Sequence, residues 1–168
     1  LARAGYTEKG RGWRKGTQSG FAGTGEQDGA YESPFAEGTY RQATATDNPR
    51  RQSQACWSAD VPEQGEYAVY VSYKTLPESV DEALYTINSM SGATKVKVNQ
   101  QMGGGTWVYV GRYMLRKGIN NDVVVLSNCS GSKGVVTADA VKIGGGMGNV
   151  ARRVERPGAD DKVSYTYN

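Results

Sequence analysis

The sequence predicts an all-β protein, an antiparallel β-sandwich, on three observations. From Ala55 to Ile143 short segments alternate apolar and polar residues with period two. Glycine, asparagine, aspartate and serine break those segments at short intervals. No stretch carries the 3.6-residue apolar spacing of a useful amphipathic helix.

Residues 1–38 form a glycine-rich, polar segment in which Gly5-Tyr6, Gly10-Arg11-Gly12-Trp13, Gly23-Thr24-Gly25 and Asp28-Gly29 are turn chemistry. It reads as coil with one or two short strands, for instance in Tyr31–Phe35; Thr39–Ala45 is a second candidate edge piece, at the start of the sandwich proper. The sandwich is expected over residues 39–144. Ala55-Cys56-Trp57 opens a strand. After Gly65, Tyr67, Val69, Val71 and Tyr73 share one face and Ala68, Tyr70 and Ser72 the other, so both faces carry apolar mass, as a central strand would. The loop around Pro77–Glu82 has room for one helical turn begun by Ser79. Leu84–Asn88 is the next strand, and in Thr94–Asn99 the residues Val96 and Val98 point inward while Lys95 and Lys97 face solvent. Met102-Gly103-Gly104-Gly105 connects to the Trp107–Tyr113 strand, and Gly118–Asp122 is a turn signal before Val123–Leu126. Val135–Ile143 is the last strong strand. Residues 145–168 are read as a glycine hinge and a basic tail, with one further candidate strand in Lys162–Tyr167.

The chain has 168 residues and a net charge of +3, enough for one domain with a core and too mild a balance to name a partner. It contains no histidine. That removes Ser-His-Asp and Cys-His nucleophilic machinery and the usual catalytic zinc sets from this chain. Cys56 and Cys129 are its only cysteines; whether they pair across the sandwich is left open by the sequence. No run approaches the ~20 apolar residues of a membrane span, and no signal peptide is visible.

Other motifs read blandly. The glycine run from Gly144 lacks the spacing and the βαβ setting of a dinucleotide fingerprint. Asn128-Cys129-Ser130 matches a glycosylation pattern that arises often by chance. Asp139, flanked by alanines in an apolar strand, is expected to be structural, bonded to backbone amides or to an arginine such as Arg112 rather than to a ligand or metal. Trp57, Tyr67 and Trp107 have core spacing; Trp13, Tyr31, Tyr40, Tyr73, Tyr109 and Tyr113 are open between core and surface. Aromatic rings stack on the apolar faces of sugars while amides and guanidinium groups bond the hydroxyls. On that chemistry the candidate ligand-binding residues are Asn99, Gln100, Gln101, Tyr109, Arg112 and Tyr113. No catalytic or metal-binding residue is assigned. Single-stranded nucleic acid is not expected, because no basic cluster coincides with an aromatic strand face.

The motifs Ala55–Trp57, Val61–Val71, Ala83–Ile87, Val96–Gln101, Trp107–Tyr113 and Val136–Ile143 together resemble the golvesin C-terminal-like domain, which also occurs in bacterial proteins labelled xanthan lyase. The ending Ala138–Asn149 is similar to versions from gut Bacteroidetes. The resemblance implies a jelly-roll-like, carbohydrate-binding-module-like sandwich. It implies a non-catalytic accessory module of an exported bacterial protein, extracellular, at the cell surface or periplasmic. Its partners would be a polysaccharide or cell-wall glycan and a neighbouring catalytic domain, lyase-like or amidase-like. Arg11, Arg14, Arg152 and Arg153 would meet the charged substituents of an acidic polysaccharide if the two ends converge. The alternative is a structural spacer packing on its catalytic neighbour, and a lyase in its own right is the least favoured reading. No cofactor is expected; a structural calcium is not supported by the scattered acidic residues.

Overall fold

In the computed structural model, residues 5–18 and 40–144 are described. The strands are β1 (Gly5–Lys9), β2 (Arg14–Lys15), β3 (Arg41–Thr44), β4 (Gln54–Val61), β5 (Gly65–Val71), β6 (Ala83–Ser89), β7 (Gly92–Val98), β8 (Val108–Leu115), β9 (Gly118–Ser127), β10 (Val135–Ala138) and β11 (Val141–Gly144). A 3-10 turn, Pro49–Arg51, is started by Asn48, whose side chain accepts from the Arg50 amide. Every pairing between these described strands is antiparallel; two isolated bridges outside them, Thr46 with Cys129 and Ser79 with Val135, are parallel.

One layer is a five-stranded sheet in the order β1-β4-β9-β6-β7. The other is made by two three-stranded sheets, β10-β3-β2 and β11-β5-β8. They meet where β10 gives way to β11 at Asp139-Ala140, and Ser72 spans the break: its amide donates to the Ala140 carbonyl and its own carbonyl accepts from the Asp139 amide. Between the layers lie Trp57, Tyr67, Val69, Val71, Tyr85, Ile87, Leu115, Val124, Leu126, Val136 and Ile143, all buried. They are the inward members of the period-two pattern, so burial follows from the alternation itself. The Tyr6 ring packs on Trp57 with centroids 5.3 Å apart and planes tilted by 58°.

Residues 5–18 of the glycine-rich start belong to the sandwich. β1 pairs along its whole length with β4, and Trp13 enters the core. The Glu8 carboxylate takes two hydrogen bonds from Arg41, at 2.7 and 2.9 Å, and a third from the Tyr6 hydroxyl at 2.8 Å. Since Glu8 is on β1 and Arg41 on β3, this fork ties one layer to the other. Thr39–Ala45 supplies β3 as expected, whereas Tyr31–Phe35 and Lys162–Tyr167 lie outside the described residues. The Pro77–Glu82 loop holds a turn, Ser79 amide to Leu76 carbonyl, and no helix.

The cysteines do not pair: Cys56 is buried on β4, Cys129 half-buried beyond β9, and both are free thiols. In the register of the two strands Cys56 faces Val125. Cys129 lies four residues further along, on the order of 13 Å of extended chain, out of disulfide reach.

Candidate functional site

The second layer carries the aromatic surface. On β5 the inward set Tyr67, Val69 and Val71 leaves Glu66, Ala68 and Tyr70 facing out. Across the sheet, Lys142 of β11 and Tyr109 of β8 flank Tyr70, while Gly144 and Arg112 flank Ala68. The result is a strip with rings at one end and polar groups at the other. Tyr70 and Tyr109 have centroids 5.6 Å apart and planes tilted by 54°. The Lys142 ammonium stands 5.8 Å from the Tyr70 centroid and 5.9 Å from that of Trp107, within cation–π range. Tyr109 is 54% exposed. Burial, and next the neighbouring Tyr109, push the Tyr70 phenol above its ordinary value, against a downward pull from Arg112. The phenol therefore stays protonated at neutral pH, able to donate and to accept. One row along, the Arg112 guanidinium donates to the Glu66 carboxylate at 3.3 Å, both half exposed.

A β-bulge assembles this strip. The β5–β8 register shifts between Val69 and Tyr70, so Val69 faces Gly111 while Tyr70 faces Tyr109, and Val110 is the extra residue. Without the shift Tyr109 and Arg112, three apart, would point to opposite faces. With it Trp107, Tyr109, Arg112 and Met114 share the outer face, and Val110, Tyr113 and Leu115 the inner one. Gly111 has φ +123°, and a Cβ there would lie 2.7 Å from the Tyr113 hydroxyl. Only glycine fits.

The sequence-predicted residues separate accordingly. Tyr109 and Arg112 lie on the strip. Tyr113 is turned to the other side of β8, packed against the core with its hydroxyl donating to the Val110 carbonyl. Gln100 is fully buried. Its side-chain amide donates to the Thr137 carbonyl at 2.9 Å and to the Tyr85 hydroxyl at 3.2 Å, and its carbonyl accepts from the Thr137 amide at 2.9 Å. It stands in for a strand partner of Thr137 and is not a surface contact. Asn99 is half-buried and uses its carbonyl oxygen to accept from the Gln101 amide; Gln101 is exposed. Their loop is pinned to the end of β5, with the Tyr73 hydroxyl donating to the Met102 carbonyl, the Gly105 amide to the Tyr73 carbonyl and the Gly104 amide to the Thr75 hydroxyl.

Two further expectations change. Trp107, assigned to the core by spacing, is only half-buried and lies outside the core cluster, by Lys142. Tyr70, passed over as the back face of a central strand, is a central ring of the strip; its period-two position opposite Tyr67 and Val69 was the available signal. Arg112 pairs with Glu66, while Asp139 is fully buried at the β10–β11 break. Arg14 sits on β2, in the other three-stranded sheet, and Arg11 precedes it in an exposed turn, so neither joins the strip; Arg152 and Arg153 lie outside the described residues. Asn128 is buried, accepting from the Ser53 amide at 2.6 Å and donating to the Thr44 carbonyl at 2.9 Å, so the glycosylation triplet is structural.

The outer face of the five-stranded sheet differs. One row across it reads Lys9, Gln54, Ser127, Leu84, Lys97, and the next Thr7, Cys56, Val125, Thr86, Lys95. A cleft of about 240 Å³ at its end is lined by Asp47, Glu82, Leu84, Lys97 and the Cys129–Gly131 turn. Among the described residues no group of three or more histidine, cysteine or acidic side chains can hold a metal ion. No helix of the described residues is long and apolar enough to cross a membrane.

Known proteins extend these observations. A solved xanthan lyase from Paenibacillus superposes on 83% of this chain with a TM-score of 0.61 and 23% identity, which establishes the shared fold. The xanthan lyase of Bacillus sp. (strain GL1) is 32% identical over 87 residues, 51% of this chain. The chain spans only 9% of that enzyme and 12% of the solved one. The Golvesin C-terminal domain model matches residues 15–145, nearly all of the sandwich, and the chain therefore belongs to the Golvesin C-terminal domain family.

Proposed function

We propose that this sandwich is a non-catalytic accessory module that binds or positions a polysaccharide or cell-wall glycan for a catalytic neighbour, in an exported bacterial protein of the xanthan lyase kind. The observation that carries the reading is the outward pair of half-buried Tyr70 and exposed Tyr109 beside Arg112 and Lys142 on one sheet face. A ring as exposed as that of Tyr109 gains little for the fold, and with Tyr70 beside it suits the C–H faces of sugars. Likeness to one part of two xanthan lyases supports an accessory role. The setting is extracellular, at the surface or periplasmic. Affinity electrophoresis of the folded module in gels containing xanthan, other plant and bacterial polysaccharides and soluble peptidoglycan fragments tests it. Retardation that disappears in Tyr109→Ala is expected; uniform mobility in every gel would overturn it.

A second reading, a spacer docked on its neighbour, is favoured by Met90, Met114 and Ile119. They are 44%, 40% and 68% exposed at the end of the sandwich where β8 passes to β9. The Met90 amide donates to the Met114 carbonyl at 2.9 Å, which brings two of them together. Glycan silence from a folded sample selects this reading.

A further inference from the structure

Resting on the glycan-binding reading, we infer that the ligand is a single solvated glycan chain gripped along its interior, not the flat face of a crystalline polysaccharide. Three features of the strip point there. The Tyr70 and Tyr109 rings are tilted by 54° at a centroid separation of 5.6 Å. Two rings at that angle cannot both lie flat on one plane, so a crystal face meets one of them at most, whereas successive sugars of a twisted free chain present faces in different directions.

Beyond the rings the strip stays low. Ala68 and Gly144 oppose each other across β5 and β11; Ala68 is covered by its neighbours, while among the described residues a Cβ built on Gly144 meets nothing within 4 Å. The space over Gly144 leaves room for a second sugar one row along the strand, roughly 7 Å from the rings. That sugar reaches Arg112 and Glu66, whose 3.3 Å contact offers N–H donors and carboxylate acceptors side by side. A hydroxyl both donates and accepts, so this pair suits neighbouring sugar hydroxyls. Glu66 sets a penalty against an acidic substituent at that position.

The test compares soluble and crystalline forms of the same chemistry. Affinity electrophoresis in gels of soluble, neutral-backbone polysaccharides is set against pull-down on crystalline cellulose and chitin. Oligosaccharides of increasing length then serve as competitors. Retention by soluble chains, little by crystalline surfaces, and competition that strengthens beyond a disaccharide are expected. Gly144→Leu, which fills the floor where there is space for it, and Arg112→Ala should each weaken binding about tenfold, about 1.4 kcal/mol, with the melting temperature unchanged. Binding to crystalline surfaces and not to soluble chains would overturn this inference and leave the glycan-binding reading standing. So would competition by monosaccharides as strong as by long chains, or parental affinity in both variants. Silence on every glycan removes both.

Discussion

The two outer faces of the sandwich are built by the same rule and end up with different chemistry. On each, alternate residues of paired strands face solvent while their neighbours fill one shared core. Across the five-stranded sheet these two outward rows hold lysine, threonine, serine, glutamine, cysteine, leucine and valine, and no ring. Across β11-β5-β8 they hold Tyr70, Tyr109, Lys142 and Arg112. A sheet needs its inner face apolar; it has no need of outward tyrosines. The face that departs from that economy is the one on which a ligand is sought, and the plain face is its internal control.

The comparison breaks most sharply if the rings are removed. The double substitution Tyr70→Ala and Tyr109→Ala should cut glycan affinity on the order of 100-fold, about 2.7 kcal/mol, with little change in thermal stability. Leu84→Ala and Lys97→Ala on the opposite face should leave affinity unchanged in the same gels. Equal losses on the two faces would erase the distinction.

Gly111→Ala attacks the device that creates the contrast. Its φ of +123° and the 2.7 Å approach to the Tyr113 hydroxyl make any side chain strained there. A loss of about 1–3 kcal/mol in denaturant unfolding is expected. A fall of roughly tenfold in affinity should accompany it as Tyr109 and Arg112 lose their common face. Unaltered binding in a destabilised protein would show that the bulge shapes the fold and not the strip.

Gln100→Leu tests whether the predicted contact that is fully buried is structural. Removing its amide leaves the Thr137 amide and carbonyl unpaired, at a cost of about 1–3 kcal/mol in stability. Binding at temperatures well below the transition should be preserved. A direct loss of affinity without a loss of stability would return Gln100 to the site.

The smallest effect concerns the fork between the layers. Burial pushes the Glu8 carboxyl up, but hydrogen bonds from Arg41 and Tyr6 and the charge of Arg41 outweigh it and hold it below the ordinary value. A carboxyl depressed in the folded state stabilises above its unfolded value and stops doing so as pH falls through the folded one. Stability should therefore decline below about pH 4. Glu8→Gln should flatten that acid limb and cost about 1 kcal/mol near neutral pH. An unchanged acid limb in thermal melts would assign it to other carboxylates.

The alternation in Tyr67–Val71 and Val96–Val98 determined those strands, the antiparallel class and most of the core, because a period of two sorts side chains to two faces wherever one face is buried; Val135–Ile143, read as one strand, breaks at Asp139-Ala140 into β10 and β11 of different sheets. The motif order likewise determined the family. Tyr109 and Arg112 were readable as ligand candidates from residue type alone. What period two could not supply was their shared face. By that rule Tyr109 belongs with Tyr113 and against Arg112, and the bulge at Gly111 reverses the assignment. Nor does sequence distance say that Gln100 meets Thr137, that Glu8 meets Arg41, or that Cys56 and Cys129 stay apart within one sheet. Local periodicity is fixed by backbone geometry along one strand; register, bulges and partners between strands are settled only when the layers close on a common core.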